Sequence, residues 1–596
     1  MLEVVQAVVA EANPEAAQDA VDAIAEGLQI VGQRFQEGEW FLGELVYSGE
    51  IAKDAMERLS PLLQSGGAES KGKVVIGTVA GDLHDLGKSI FANYATSAGF
   101  EIVDLGVSVA VEDFVKAARE HQPIALGMSC LLTVSAGSVG KVIEELSRQG
   151  LREALKVIIG GAALTEEFAQ EVGADAFAPD AVTGTDTSTG CRNRHGYHSC
   201  LERRMNFKER MLTAMNHEEP DRVPVMGLIM DPATVDQVLG KNPTNVVRFL
   251  DKPVVGRAVE KLLDSNWFWD RMYFKNFSGA LESATRLGFD ANWAIYAFMQ
   301  IYKGETNQKG AALNDVFGRV WTMGTDDRGN LSVDYSQALC PTEAAWEAWV
   351  EEKSALFDRV IRNATSFHQM LVDAHGDKIM PIGYAAPGIF ENSWQAIGFV
   401  DFTKLVYENP QFIKRVVEFQ TDFYLRYLEG VMQSGVEIVL GGDDLGQKTG
   451  PLMRPDLIEK LYGESYRRVA DLVHSYGRKF VFHSCGKIYQ FLDKFVDWGF
   501  DGIITMEPTA DMDLGRVREQ VGHKLVLIGN LDVSHLLVKG TRDEIDAAVK
   551  KAIQDAARGG GYILSAAHSH PYVDATRLQW MVESAHEHGR YPIRGS

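Results

Sequence analysis

The sequence predicts an α/β protein in three parts: a pack of helices, a doubly wound parallel sheet, and a (β/α)8 barrel of the TIM-barrel kind. Three observations carry this. Apolar residues before residue 70 recur at helical spacing. From Lys73, short β-branched runs alternate with amphipathic helices. From Met205, several strand-like runs end directly in polar residues.

In the first part, residues 1–70, Val4, Val5, Val8 and Val9 begin a series continued by Val21, Ile24, Leu28, Ile30 and Val31, then by Phe41, Leu42, Leu45, Ile51, Met56 and Leu59. Asn13-Pro14 and Gly38-Glu39 punctuate the series, which reads as about four helices. In the second part, residues 71–182, the runs Val74–Val79, Glu101–Val103, Ile124–Gly127 and Val157–Ile159 read as parallel strands. Residues 183–204 open on Thr183-Gly184-Thr185-Asp186-Thr187-Ser188-Thr189-Gly190 and have linker composition.

The third part, residues 205–596, carries the barrel. Val436–Leu440 leads to Asp443-Asp444, Phe480–Phe482 to His483 and Cys485, Gly502–Ile504 to Glu507, and Tyr562–Leu564 to His568 and His570. A barrel collects its reactive groups at these strand ends. About 390 residues exceed a minimal barrel, so an insertion is expected around Gly318–Tyr335.

Composition narrows the class. A length of 596 residues implies several domains. A net charge of −23 argues against a nucleic-acid partner, whose phosphates need clustered Lys and Arg. No apolar run reaches the roughly 18–20 residues that span a bilayer. The acidic N-terminus does not read as a signal peptide. Five scattered cysteines do not form a disulfide framework. A cytoplasmic enzyme without membrane or nucleic-acid partners is expected.

Asp82-Leu83-His84-Asp85-Leu86-Gly87 follows the first strand of the doubly wound sheet and precedes a helix. Ligands of such sheets sit at the carboxyl ends of strands. His84 can present a ring nitrogen to a metal while Asp82 holds the other nitrogen, and Gly87 permits close backbone approach. Ser129, Leu131 and Thr133 follow the third strand and Gly160-Gly161 the fourth. Residues 1–182 resemble the corrinoid proteins of methyltransferase systems, related to the cobalamin module of methionine synthase. The resemblance implies bound cobalamin with His84 as lower cobalt ligand. Asp82, Gly87, Ser129, Leu131, Thr133, Gly160 and Gly161 would surround the cofactor.

In the barrel, His483-Ser484-Cys485-Gly486 ends a strand, and imidazole with thiolate is a preferred zinc donor pair. A third ligand must come from another strand end, where Glu507 and His568 stand. Met205–Arg210, Glu219–Pro224, Asp443-Asp444, Gly450–Leu452, His483–Gly486, Gly529–Asp532 and Gly589–Pro592 resemble the uroporphyrinogen decarboxylase superfamily, within it the cobalamin-dependent methyltransferases. That resemblance implies Zn2+ on His483 and Cys485, with Glu507 able to enter the site. The family's further cysteine is absent after Cys485, so His568 is expected as third ligand, with His570 as fallback. A neutral imidazole there would leave zinc more Lewis-acidic, which suits an oxygen leaving group.

The expected reaction moves a methyl group from a small methylated substrate, first of all an O-methyl aromatic ether, to Co(I) of the chain's own cobalamin domain. Asp443 and Asp444 read as helix or loop caps and, by their strand-end position, as catalytic groups with Glu507 that orient substrate and manage a proton. A second methyltransferase, a tetrahydrofolate or thiol acceptor, and a reductive activase are the expected partners. The rival readings are methyl transfer from methylcobalamin to a zinc-bound thiol, a porphyrinogen decarboxylase, and a cobalamin carrier or sensor. The run Cys191-X3-His195-X2-His198-X-Cys200 has metal-like composition but reads as solvated linker.

Overall fold

The structure is a computed structural model. It describes residues 73–82, 100–130, 135–152, 155–161, 166–178, 205–228, 232–240, 266–294, 301–307, 310–325, 331–385, 388–568 and 573–593, with scattered single positions elsewhere. Two compact units emerge, Met1–Cys191 and Arg192–Ser596.

In the first unit, the described positions before Lys73 are nearly all helical, among them Ala20, Ile24, Val31, Ala52 and Ala55. Ile24, Val31, Ala52 and Ala55 are buried, whereas Ile30, read as apolar stripe, is exposed. The sheet comprises β1 (Lys73–Thr78), β2 (Glu101–Asp104), β3 (Ala125–Ser129), β4 (Lys156–Gly160) and β5 (Ala176–Ala178). All are parallel, in the order β2-β1-β3-β4-β5. That is the flavodoxin-like order, with its switch point between β1 and β3. The near-continuous burial of Val74, Val75 and Ile76 is what a strand covered on both faces requires. The helix Val111–His121 contributes Phe114 and Val115 to the core, and Gly137–Arg148 contributes Val139, Val142, Ile143 and Leu146.

The second unit is built on eight parallel strands. They are β6 (Met226–Gly227), β7 (Ala291–Ala294), β12 (Met380–Ala385), β13 (Ile438–Gly442), β16 (Lys479–Ser484), β17 (Gly502–Thr505), β18 (Val526–Leu531) and β19 (Tyr562–Ala566). A parallel bridge between Val225 and Leu564 joins the first strand to the last, nearly closing the barrel. The expected insertion is larger than its sequence estimate. It is a four-stranded antiparallel sheet of β8 (Ile301–Asn307), β9 (Gly310–Asp315), β10 (Arg319–Thr325) and β11 (Leu331–Ala338). A short hairpin, β14 (Gly446–Gln447) with β15 (Gly450–Pro451), follows β13.

Aromatic packing orients the strand that matters most. Phe480 and Phe482 of β16 lie against Phe500, with ring centroids 5.2 and 4.6 Å away, and Trp498 and Phe495 complete the cluster. Successive strand residues face opposite sides, so anchoring Phe480 and Phe482 on one side turns His483 to the other.

Candidate metal centre and corrinoid site

At the carboxyl end of the barrel, three donors converge. The ligand atoms of Asp444, His483 and Cys485 all lie within 4.8 Å of one another, the one such group among the described residues. His483 Nε2 stands 3.4 Å from Asp444 Oδ1 and 3.4 Å from Cys485 Sγ. The Cys485 backbone N–H donates to Asp444 Oδ1 at 2.9 Å, which ties the loop after β13 to the end of the neighbouring strand β16. His568, expected from sequence as third ligand, is described at the end of β19 but is not in this converging group. His570 lies outside the described residues.

Glu507 follows β17, and its carboxyl interacts with the Cys485 thiol. Two successive non-glycine residues with positive φ precede it, Thr505 at 93° and Met506 at 52°. Such backbone strain persists only where the surroundings impose it. The Thr505 hydroxyl donates to the Ser484 carbonyl at 2.9 Å and holds that bend to β16.

The electrostatics suit a cation. Burial pushes the Cys485 thiol well above its ordinary range, and the charges of Asp444 and Glu507 push it further. Burial also works against the Asp444 carboxylate. The hydrogen bond and positive charge offered by His483, with the Cys485 N–H, overcome it and hold Asp444 below the usual carboxylate range. A thiol and carboxylates crowded in this way ionise together only when a positive charge stands among them. The His483 Nδ1 is buried with no hydrogen-bond partner. Sulfur, imidazole and carboxylate at this spacing form a zinc-type donor set.

Asp443 does something else. Its side chain is 1% exposed and accepts the N–H of Phe390 at 3.0 Å and of Glu391 at 2.7 Å, with the Tyr466 hydroxyl donating at 2.8 Å. These are first-turn N–H groups of the helix Ile389–Ile397, which has no side-chain cap of its own. Of the two roles open in the sequence, the structure gives Asp443 the capping one. Gly388 makes this possible: a Cβ there would lie 2.0 Å from the Gly442 carbonyl and 2.1 Å from Asp443 Oδ1. Burial raises the Asp443 pKa to about 7 despite those bonds.

Two neighbours escaped the sequence reading. Glu391 lies beside both aspartates: burial raises its pKa well above the usual range, and the charges of Asp444 and Asp443 add to the effect. Its signal in the sequence was only a carboxylate six residues past the end of a strand. Trp293 belongs to the barrel core and is 4% exposed. Its ring nevertheless stands 6.0 Å from the His483 ring and 5.0 Å from Tyr384, and its Nε1–H is buried without a partner.

In the first unit, Asp82 is fully buried beyond β1, and its carbonyl accepts the Ser108 N–H at 2.9 Å. Ser129 ends β3 and Gly160 ends β4, paired in register, so both reach the sheet edge where the switch point opens. Gly161 has φ +114°, and a Cβ would lie 2.2 Å from the Cys130 carbonyl. Its glycine is therefore demanded by backbone packing between β3 and β4, apart from any ligand. His84, Gly87, Leu131, Thr133 and the Cys191–Cys200 run lie outside the described residues.

Fold and site together define a two-part protein, a flavodoxin-like ligand-binding unit and a barrel with a metal-type donor group. Residues 1–60 and 72–188 match the sequence profiles of B12 binding domains, and residues 365–588 match that of uroporphyrinogen decarboxylase (URO-D). A corrinoid protein of Desulfitobacterium hafniense is 36% identical over 184 residues, which is 29% of this chain and 85% of that relative. The dimethylamine corrinoid protein 1 of Methanosarcina acetivorans is 41% identical over 159 residues, 26% of this chain and 75% of the relative. A solved cobalamin-binding protein of Desulfitobacterium hafniense shares 43% identity, covering 30% of this chain and 85% of its own, with a TM-score of 0.28. The chain belongs to the corrinoid-protein family and joins its B12-binding part to a URO-D-type barrel. It is a corrinoid-binding protein of the methyltransferase type. Among the described residues, no helix is long and apolar enough to cross a membrane.

Proposed function

We propose that the barrel binds zinc through Asp444, His483 and Cys485, with Glu507 at its edge, and activates a small methylated substrate whose methyl group passes to the chain's own corrinoid. The convergence of three donor atoms at neighbouring strand ends, in a chain that carries B12-binding domains, supports this reading. Asp444 replaces His568 as proposed third ligand. Asp82 and His84 are proposed to serve the corrinoid, His84 as the lower ligand and Asp82 as the group that orients it. Ser129, Gly160, Leu131, Thr133 and Gly87 would line the remainder of that site.

When bound, the corrinoid supplies a reduced cobalt nucleophile for the methyl group and zinc supplies a Lewis acid. The residues do the rest. The charges of Asp444 and Glu507 by themselves disfavour the ionised Cys485 thiol, so its ionisation would accompany binding of the cation that these carboxylates attract. Trp293 and Tyr384 provide an aromatic wall beside His483, able to receive an aryl group by edge or face contact. The preference for an oxygen leaving group rested on a neutral third ligand, and a carboxylate weakens that reason. An O-methyl aromatic ether remains the first choice because of the aromatic wall. The acceptor of the methyl group, tetrahydrofolate or a thiol by way of a second methyltransferase, and a reductive activase remain proposed partners.

The test is to supply reduced, cobalamin-loaded chain with methoxylated aromatics, with dimethylamine, and with free thiols after methylation. Stoichiometric zinc and release of the phenol are expected. In His483→Ala and Cys485→Ser, zinc affinity should fall at least about 100-fold and turnover with it. A wild-type chain free of zinc at full activity overturns the metal reading. Turnover of the amine alone, or of thiols alone, overturns the ether.

A further inference from the structure

A second buried polar network lies in the inserted sheet. Its β9–β10 turn carries a buried ion pair, Asp315 and Arg319, 0% and 1% exposed. Arg319 Nε donates to Asp315 Oδ2 at 2.8 Å, and Trp321 Nε1 donates to the same oxygen at 2.7 Å. The backbone N–H groups of Phe317 and Arg319 satisfy Oδ1, at 2.9 and 3.1 Å. A buried ion pair contributes little net stability, and apolar residues of equal volume do as well. What such a pair does well is fix the direction of the charge it holds.

Arg319 aims outward from its own sheet. Its Nη1 donates to Gln395 Oε1 at 2.7 Å, on the helix Ile389–Ile397. Arginine only donates, so it fixes which way the Gln395 amide points. The oxygen faces Arg319, and the nitrogen donates to Glu391 Oε1 one turn earlier, at 3.3 Å. The Glu391 carboxyl in turn meets the Asp444 backbone N–H. From the other side, the Asp443 carboxylate accepts the N–H groups of Phe390 and Glu391. Helix start and strand end therefore clasp each other in both directions. Two further bonds seat the sheet on the same helix, Tyr335 hydroxyl to the Gln395 carbonyl at 2.9 Å and Cys340 N–H to the Ala396 carbonyl at 2.9 Å.

We propose that Arg319, Gln395 and Glu391 are positioning residues through which the inserted sheet fixes Asp444 at the metal centre. The proposal rests on the reading of Asp444, His483 and Cys485 as metal ligands. The sheet thus governs the metal's coordination without supplying a ligand.

The test uses the full chain stripped of zinc and titrated with Co2+, whose absorption reports both Cys485 ligation and coordination geometry. Gln395→Leu is expected to weaken Co2+ binding about 10- to 100-fold and to shift the d–d bands, the size seen when a ligand's support is removed. Arg319→Met should act in the same direction, and the double variant should be no worse than the stronger single one, because both break one chain of bonds. Thermal midpoints measured in parallel separate this from general loosening: a lowered midpoint with unchanged affinity and spectrum overturns the proposal, as does no change at all. If Arg319→Met does not fold, Gln395→Leu carries the test. A wild-type chain that binds no Co2+ overturns the metal reading itself, an outcome visible before any variant is made.

Discussion

The two ends of the barrel bury charge in opposite ways. At the amino end, Arg210 Nε meets Asp221 at 2.6 Å and its Nη1 meets Asp290 at 2.5 Å, while Arg222 donates to both Asp290 oxygens at 2.8 and 3.0 Å. The Val225 N–H completes the set at 2.9 Å. Each charge there faces its opposite. At the carboxyl end, Asp443, Asp444, Glu391 and Glu507 gather around one thiol and one imidazole. Two like charges about 4 Å apart repel by about 4 kcal/mol at an effective dielectric of 20. The amino end is a finished lock, and the carboxyl end is an arrangement that the proposed cation would complete.

The sharpest way to break that comparison is at Asp290. Asp290→Asn leaves the buried Arg210 and the half-buried Arg222 short of a counter-charge, and a loss of about 3 kcal/mol is expected. Urea unfolding followed by tryptophan fluorescence reads it, with Co2+ affinity unchanged. A loss below about 1 kcal/mol would mean that the network is not what secures this end.

Proton linkage gives a second, smaller contrast. His586 belongs to the amino end, with Nε2 buried and unpartnered. Burial, then the charge of Arg222, lowers its pKa from 6.5 to about 4. The unfolded chain takes up a proton near 6.5 and the folded chain does not, so stability falls as pH drops from about 6.5 towards 4. At pH 5 the penalty from this group is about 1–2 kcal/mol after allowance for its partial exposure. His586→Gln should flatten that part of the pH profile between pH 7.5 and 5. An unchanged slope would assign the acid sensitivity to other groups.

What the sequence revealed follows the same division between local pattern and long-range meeting. His483 and Cys485 were legible because strand alternation and a two-residue spacing are local facts. Asp444 was in view as half of a pair, but its partnership with His483 arises only because β13 and β16 are adjacent. Glu391 was not legible, since it reaches the site from the first turn of a helix and is held by Gln395 and, through it, by a residue 72 positions away. The inserted sheet was glimpsed between Gly318 and Tyr335, where turn and β-branched residues cluster. Its hairpin Ile301–Asp315 is rich in Gly, Lys and Asn, which hide a strand pattern. The two- and three-residue strands β6 and β5 are too short to show a period.

Asp443 tests where the boundary between the two ends runs. It stands at the carboxyl end, yet like the carboxylates of the amino end it is held by donors, here two backbone N–H groups and one hydroxyl. Asp443→Asn keeps one oxygen to accept from Phe390 or Glu391 but turns its amide nitrogen towards a backbone N–H, which only donates. The half-kept cap and a buried amide left facing donors should together cost about 1–3 kcal/mol. Co2+ affinity should fall only modestly, because the Glu391 half of the clasp remains. If metal binding collapses while stability holds, Asp443 acts with Asp444 on the metal, and the contrast between the two ends is then purely one of sign.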